Sequence, residues 1–529
     1  MQKIRFNTNR LKIAAGAASI LLAMLSCSQG YISPVELTAT ALVQESISTT
    51  AVPTAIVSSP TATPETPTPV PTFTDMPLAT STPRPTNTID PNATPKPPIS
   101  YYTQSGDTLP SILGRFGVTA DQITASEPIP STGLINPGIL LVIPDVLEDV
   151  FESTTIMPDS EVVYSPSAAD FDIEGFVADA GGYLSRYKEE VGSKQYTGAG
   201  LIKRVATENS INPYLLLAVL EYKSGWVYGG PTNIAEAEYP MGYVRLEYKG
   251  LYKQLSWTVS QLSIGYYGWR AGTLTTLTYH DGTQQRLSPG LNAGTVAVQY
   301  LFSRLYDRLE WAGALYGENS MPALMEKMFG NFFIRSQAVE PLYPPDLKQP
   351  ELELPFNSTL TWTFTGGPHS AWGEDGALAA LDFAPPTGVG GCVQSEQWVT
   401  AMAPGVIVFS DEGLVIEDLD GDGIEQTGWN IMYMHIETRD RVQVGTYVET
   451  GDKIGHPSCE GGVSTGTHTH VARKFNGEWI LADGPLPFVL SGYTAHNGDA
   501  PYKGTLVNGD HVVIADTLGS PKADIKKPK

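Results

Sequence analysis

Thirteen of the chain's 41 prolines fall between residues 51 and 98. The surrounding stretch, residues 28–99, is rich in Thr, Pro, Ser and Ala, as in Pro60-Thr61-Ala62-Thr63-Pro64-Glu65-Thr66-Pro67-Thr68-Pro69. Proline has no N–H to give to a helix or a sheet, and the tract has few large apolar side chains to bury. It reads as an extended, partly polyproline II, disordered tether. Every packed core must therefore come from the short segment before it or the long one after it. A chain of 529 residues leaves room for about three folded regions at roughly 100–200 residues each. Lys plus Arg total 33 against 56 Asp plus Glu, a net charge of -23. That balance argues against nucleic-acid binding, which needs a basic face, and against attachment to anionic lipid by charge alone.

At the N-terminus, Lys3, Arg5, Arg10 and Lys12 precede an apolar run from Ile13 to Leu25. The run is shorter than the roughly 20 residues of a membrane span, so the segment reads as a secretory signal. Its ending, Met24-Leu25-Ser26-Cys27, resembles a bacterial lipoprotein signal. The resemblance implies that residues 1–27 are a signal peptide with Cys27 as the lipidated residue. The protein would then be extracytoplasmic, held at the membrane or cell envelope by an N-terminal lipid anchor. Disulfides are permitted there.

Residues 100–146 open with Tyr101-Tyr102-Thr103-Gln104-Ser105-Gly106-Asp107-Thr108-Leu109 and close with Pro137-Gly138-Ile139-Leu140-Leu141-Val142-Ile143-Pro144. Ile112, Leu113 and Phe116 lie between them at helical spacing. The expected order is strand–helix–helix–strand. The region resembles a LysM module through Gly106-Asp107-Thr108-Leu109 and Gly138-x-Leu140-x-Val142-Ile143-Pro144, which implies binding to the glycan strands of peptidoglycan.

Residues 147–345 read as mostly helical. Asn212-Pro213 starts a helix that Gly225 stops, and further helices are expected near 256–267 and 290–305. The Asn-Pro start and the Ser224-Gly225-Trp226 ending resemble the catalytic helix of lysozyme-like lytic transglycosylases and glucosaminidases. Those families place Glu directly before Ser-Gly, where this chain has Lys223. Glu221 is two residues earlier, about 200° away around a helix. The domain is therefore expected to be a degenerate, sugar-binding or positioning one rather than an active glycosidase.

Four of the eight histidines lie with one Asp in the C-terminal part: His369, Asp382, His435, His468 and His470. Val399–Ala401, Val406–Phe409, Leu414–Asp418, Asn430–His435 and Thr469–Arg473 read as short strands between Gly, Pro and Asp turns. Residues two apart on a strand share a face, so His468 and His470 can enter one site. Two His and one Asp suit a catalytic zinc, which takes three protein ligands and keeps a position for water. Metal-assisted hydrolysis is the reaction class this favours.

The same region, about residues 350–485, resembles the lysostaphin-type zinc endopeptidases. The resemblance rests on Gly366-Gly367-Pro368-His369, Leu381-Asp382-Phe383, Ala403-Pro404-Gly405-Val406-Ile407, Tyr433-Met434-His435 and Ser464-Thr465-Gly466-Thr467-His468-Thr469-His470. The spacing from His369 to Asp382 is similar to the β-lytic branch of that family. The resemblance implies that His369, Asp382 and His470 bind Zn2+. It gives His435 and His468 the catalytic roles of assisting the water and the tetrahedral intermediate. His456 matches no ligand of the family and is expected to be structural or part of the cleft rim.

Asp418-Leu419-Asp420-Gly421-Asp422-Gly423 resembles the start of a calcium loop, but Trp429 stands where that loop has its closing Glu. A solvated hairpin turn is the plainer expectation. Cys392 and Cys459 remain after the anchor, and an even pair in an oxidising compartment is expected to form one disulfide.

The expected fold class is multidomain: a small α/β LysM module, a mostly α middle domain and a mostly antiparallel β C-terminal peptidase domain. The divisions are 1–27, 28–99, 100–146, 147–345, 346–500 and a polar tail, 501–529, in which Val507–Ile514 reads as a strand. The expected function is hydrolysis of peptide cross-links in peptidoglycan by a cell-wall-associated zinc metalloendopeptidase. The alternative is a non-enzymatic, peptidoglycan-binding adaptor that activates other wall hydrolases. For the anchor, cells grown with a clickable fatty acid are expected to label the wild-type protein and not Cys27→Ser; an unlabelled wild type would refute lipidation.

Overall fold

The computed structural model describes residues 96–528 apart from Ser358, Gly388 and Val389. The expected signal, Cys27 and the tether as far as residue 95 lie outside the described residues.

Three strands, β1 (Ile99–Tyr102), β2 (Thr124–Ala125) and β3 (Leu140–Ile143), form an antiparallel sheet in the order β1-β3-β2. The helix Leu109–Phe116 starts at a reciprocal cap: Thr108 accepts the Ser111 N–H and Ser111 accepts the Thr108 N–H. Its Ile112 and Phe116 pack on Tyr101, Leu141 and Ile143. Asp107 is buried, accepts the Tyr101 hydroxyl at 2.6 Å and the Gln104 N–H at 2.7 Å, and pairs with Arg115. The Gly-Asp-Thr-Leu motif therefore serves the local fold through its Asp. The second expected helix is only a 3-10 turn, Ala120–Gln122. Ile123 is already extended and the chain enters β2 at Thr124, which leaves the turn no room to propagate.

The middle of the chain is helical. Its small strands are peripheral: β4 (Val150–Phe151), β5 (Lys188–Val191), β6 (Lys194–Thr197), β7 (Thr276–Thr278) and β8 (Gln284–Leu287). β5 pairs with β6, and β8 pairs with β7 and, in parallel, with β4. The expected helices run over Pro213–Ser224, Leu251–Arg270 and Ala293–Ser303. In the first, the Asn212 side chain accepts the Tyr214 N–H at 2.9 Å and Gly225 closes the end at φ 63°. Leu215 to Leu220 are buried all round, as in a helix that forms the centre of a core. Glu221 accepts the N–H groups of Val227 and Tyr228 at 2.8 and 3.2 Å, satisfying the chain beyond the helix. Lys223 donates to the Tyr306 hydroxyl at 2.5 Å.

The C-terminal part is antiparallel β. It comprises β9 (Thr361–Ser370), β10 (Leu378–Ala384), β11 (Val399–Thr400), β12 (Gly405–Asp411), β13 (Leu414–Asp418), β14 (Trp429–Met434), β15 (Tyr447–Val448) and β16 (Lys453–Gly455). It continues with β17 (Thr469–Phe475), β18 (Glu478–Trp479), β19 (Val489–Leu490), β20 (Tyr493–Asn497), β21 (Gly504–Asn508), β22 (His511–Ile514) and β23 (Asp524–Lys526). The main sheet has the order β15-β12-β13-β14-β17-β10-β9-β23, with β18 on β17. β19 to β22 form a second sheet and β11 pairs with β16. Alternation in the sequence does not mark β9 and β10, which carry Gly366-Gly367-Pro368 and three alanines and pair through shifts of register.

Within residues 501–529, read as a polar tail, the strand expected over Val507–Ile514 is part of a hairpin. A two-residue turn at Gly509-Asp510 joins β21 to β22, and β23 pairs along the edge of β9. Leu506, Val513 and Ile525 are buried in the same core as Phe364 and Phe383, which is what holds this segment down.

The main sheet is covered on both faces. Ala380, Leu414, Ile416, Met432 and Ala472 join the core of the helical region. Leu381, Phe383, Val415, Ile431, Tyr433 and Val471 join the second core. A buried polar group fastens the two parts: Arg270 on the Leu251–Arg270 helix contacts Glu478 at 3.0 Å and Asp159 at 2.9 Å, and Tyr266 donates to Glu478 at 2.9 Å. Three regions that the sequence reads separately thus pack as one unit.

Lys223 gives a pH signature. Burial, opposed by Glu310, pushes its ammonium pKa from 10.5 down to about 8. The folded chain then holds fewer protons than the unfolded chain in that window, so stability rises with pH there and is lost as pH falls through about 8. Urea unfolding of the wild type is expected to show this rise, and Lys223→Met to lack it while being the more stable protein near neutral pH.

Candidate metal centre and active site

The antiparallel pairing of β10 with β17 sets Asp382 directly opposite His470. Cross-strand partners project to the same face, so both side chains meet on the face that carries Ala380 and Ala472. β9 lies on the other side of β10 and brings His369, and β14 ends at Met434, which is paired with His470, so that His435 follows at the sheet's rim. His468 stands just before β17. All five candidate residues therefore converge, each from a different turn or strand.

Gly366 and Gly367 explain the close approach. A Cβ at Gly366 would lie 2.4 Å from the Asp382 carboxylate, and one at Gly367 would lie 2.5 Å from the Lys503 backbone. His435 sits at φ 64°, a conformation unusual for a side chain of this size and one found disproportionately at functional sites.

Each of the four converging histidines is tied to a main-chain carbonyl through one ring nitrogen. His369 Nδ1 meets Gly367 O at 2.8 Å and His470 Nε2 meets Ala371 O at 3.0 Å. His435 Nδ1 meets Glu460 O at 2.8 Å and His468 Nδ1 meets Gly466 O at 2.8 Å. A carbonyl can only accept, so the bonded nitrogen carries the proton and the other nitrogen of each ring presents a lone pair. For two of the rings that lone pair meets Asp382. His369 Nε2 and His470 Nδ1 are 3.0 Å apart, and they lie 3.3 and 3.1 Å from Asp382 Oδ1.

Two lone pairs and a carboxylate oxygen repel one another unless a cation or a proton lies among them. Tetrahedral ligands about 2.0–2.2 Å from zinc stand about 3.3–3.6 Å apart, close to these separations. The donor set, two neutral imidazoles and one carboxylate, thus fits a zinc ion, and His369, Asp382 and His470 are the residues that would hold it.

Electrostatics follow from the same contacts: burial opposes protonation of His369, but Asp382 outweighs it and raises its pKa. Burial opposes ionisation of Asp382, but His369 and then His468 outweigh it and hold its pKa well below the usual range. Burial, reinforced by His468 and His470, pushes His435 down to about 3, so its imidazole is neutral at physiological pH. His470 is lowered mainly by burial, against the pull of Asp382. The His435 and His468 rings stand 4.4 Å apart, and His468 Nε2 lies 3.7 Å from Asp382. His369, Asp382, His435 and His470 are buried, whereas the His468 side chain is 17% exposed and marks the open side.

Cys392 and Cys459 are joined by a disulfide, which ties the loop after β10 to the loop that precedes His468. His456 is buried, bonds Gln397 O at 2.7 Å and packs its ring at a tilt against Trp398, and it is not part of the His369, Asp382 and His470 group. Tyr502 joins the site without any signal in the sequence. It stacks on His369 with ring centroids 4.0 Å apart, and its backbone bonds Gly367 and Pro368. No motif surrounds it, and only the folding of residues 504–526 onto the sheet brings it there.

Residues 155–341 match the family described as LasA, N-terminal domain. The chain is 26% identical to protease LasA of Pseudomonas aeruginosa over 298 residues, 52% of this chain and 65% of that protein. It is 28% identical to the beta-lytic metalloendopeptidase of Lysobacter enzymogenes over 144 residues, 27% of this chain and 77% of that protein. The chain thus spans 65% of the length of the LasA relative. Among solved structures it is similar to the M23 metalloprotease pseudoalterin, at 23% identity and TM-score 0.27 over 32% of this chain and 96% of that one. The catalytic domain of the antimicrobial peptidase lysostaphin from Staphylococcus simulans is 22% identical with TM-score 0.17, over 24% of this chain and 95% of that one. The relatives are named as proteases and metalloendopeptidases, consistent with a zinc metallopeptidase.

If the group is a zinc centre, elemental analysis of the purified protein is expected to give about one zinc per chain. His470→Ala is expected to lose it without loss of the folded circular-dichroism spectrum. Equal zinc in both proteins would exclude this centre.

Proposed function

We propose that this chain is a zinc metalloendopeptidase that hydrolyses peptide cross-links in peptidoglycan. The observation that carries the reading is the convergence of His369, Asp382 and His470, with the lone pairs of His435 and His468 beside them. The printed names of the relatives favour the same chemistry.

A zinc ion in the site would polarise the scissile carbonyl and lower the pKa of its water. His435, neutral through burial, offers a lone pair that can accept the water's proton. His468 stands on the open side, where it can steady the oxygen of the tetrahedral intermediate. The carbonyls of Glu460 and Gly466 fix both rings in the tautomer this needs, and Tyr502 fixes the plane of His369.

Residues 100–146 would bring the enzyme to the wall by holding the glycan strands, and Cys27 would anchor it to the membrane. No described helix is long and apolar enough to cross a membrane. The middle region takes no part in glycan cleavage in this reading: Glu221 is occupied by two backbone N–H groups, and a lysine stands at the position of the missing acid.

Incubation of purified protein with peptidoglycan is expected to release new amino groups, identified by mass spectrometry of the fragments, and a zinc chelator is expected to stop it. His435→Ala and His468→Ala are each expected to lower kcat/KM by about 100-fold or more with zinc retained. Release of reducing ends instead of amines would move the activity to the middle region. Zinc occupancy with neither product, together with stimulation of a wall amidase, would establish the adaptor.

A further inference from the structure

The turn between β13 and β14 gathers three carboxylates that the proposed peptidase chemistry does not use. Asp418, Asp420 and Asp422 bring their oxygens within 4.8 Å of one another. Among the described residues none of the three forms an ion pair. Lys474, the cation at this end of β17, is paired with Glu425 at 2.9 Å. Asp418 is fully buried, and its two oxygens accept the N–H groups of Asp420 and Gly423 at 3.1 and 2.8 Å. Negative charge is thus concentrated at a partly buried point without a side-chain counter-charge.

A separate observation comes from the neighbouring strand. Asn430 is fully buried and stands directly across the ladder from Asp418, so the two side chains share a face. Its Nδ2 donates to Thr427 O at 2.7 Å, which draws the amide into the same turn. Its Oδ1 has no hydrogen-bond partner. A buried amide oxygen left without a donor is costly, and a cation is one group that satisfies it.

We infer that Asp418, Asp420, Asp422 and the Asn430 amide oxygen form a binding site for a calcium-type divalent cation, distinct from the His/Asp centre. The donors are all oxygens, and hard oxygen donors select calcium over the metals that prefer imidazole or thiolate. Trp429 occupies the place of the bidentate Glu of a standard calcium loop, and Asn430, one residue on, supplies a neutral oxygen. With one carboxylate fewer than a high-affinity loop, the site belongs to the weak, extracellular class. Its effect is structural. The cation ties the turn to β14, the strand that ends one residue before His435.

The inference does not depend on the peptidase reading, and calcium titration of the full chain tests it. Isothermal titration with calcium chloride is expected to show one saturable site with Kd of about 10⁻⁴–10⁻³ M, accompanied by a rise in Tm. The site is expected to persist in His470→Ala, which separates it from the His/Asp centre. It is expected to weaken about tenfold or more in the exposed pair Asp420→Asn with Asp422→Asn. Asn430→Asp, which adds a charge at the buried oxygen, is expected to tighten it. Absence of saturable calcium binding in the wild type, or unchanged affinity in the Asp420/Asp422 variant, would overturn the site. Unchanged affinity in Asn430→Asp would remove Asn430 from it.

Discussion

The register between β10 and β17 is the constraint on which the rest depends. It sets Asp382 against His470, and the adjoining register of β14 sets Met434 against His470, so His435 emerges beside both. Side chains alternate along a strand, and a slip of one residue in either ladder would send Asp382 or His470 to the opposite face. The register is held by burial on both sides. Leu381, Phe383 and Val471 fill one core, while Ala380 and Ala472 fill the other. The converging group is thus a by-product of a sheet that can be packed in only one way.

That double burial also explains why the helical region and the β region form one body. The face of the sheet that carries Asp382 and His470 is the face that joins the helical core. The link is apolar over most of its area and polar at one buried point, where Arg270 meets Asp159 and Glu478. Removing one partner from such a group leaves uncompensated charge, typically costing about 3–5 kcal/mol, so the polar point fixes the seating of the two parts more than it strengthens it.

Much of this is legible in the sequence. The short strands from Val399 to Arg473 announced themselves by alternation between Gly and Pro turns, and the helix after Asn212 by its cap and its proline. The five residues of the candidate site were legible because their spacing and neighbours travel with them. Other features were not. β9 and β10 are held by pairing and by close approach at Gly366 and Gly367 rather than by β-favouring side chains. Residues 501–529 are mostly polar and only Val507–Ile514 reads as a strand, yet Leu506, Val513 and Ile525 suffice to hold three strands. Tyr502 rides on that segment to reach His369.

The sequence by itself determined which groups could do chemistry and roughly which elements carry them, since ligand chemistry, capping and strand alternation are local properties. Only the tertiary structure decided how those groups face one another. It chose the tautomers through the carbonyls of Gly367, Ala371, Glu460 and Gly466, set the lone pairs of His369 and His470 on one carboxylate oxygen, and placed Asn430 beside Asp418. His470 and Ala371, His435 and Glu460, and His369 and His470 lie far apart in the chain, where local sequence carries no information and packing alone selects the neighbour.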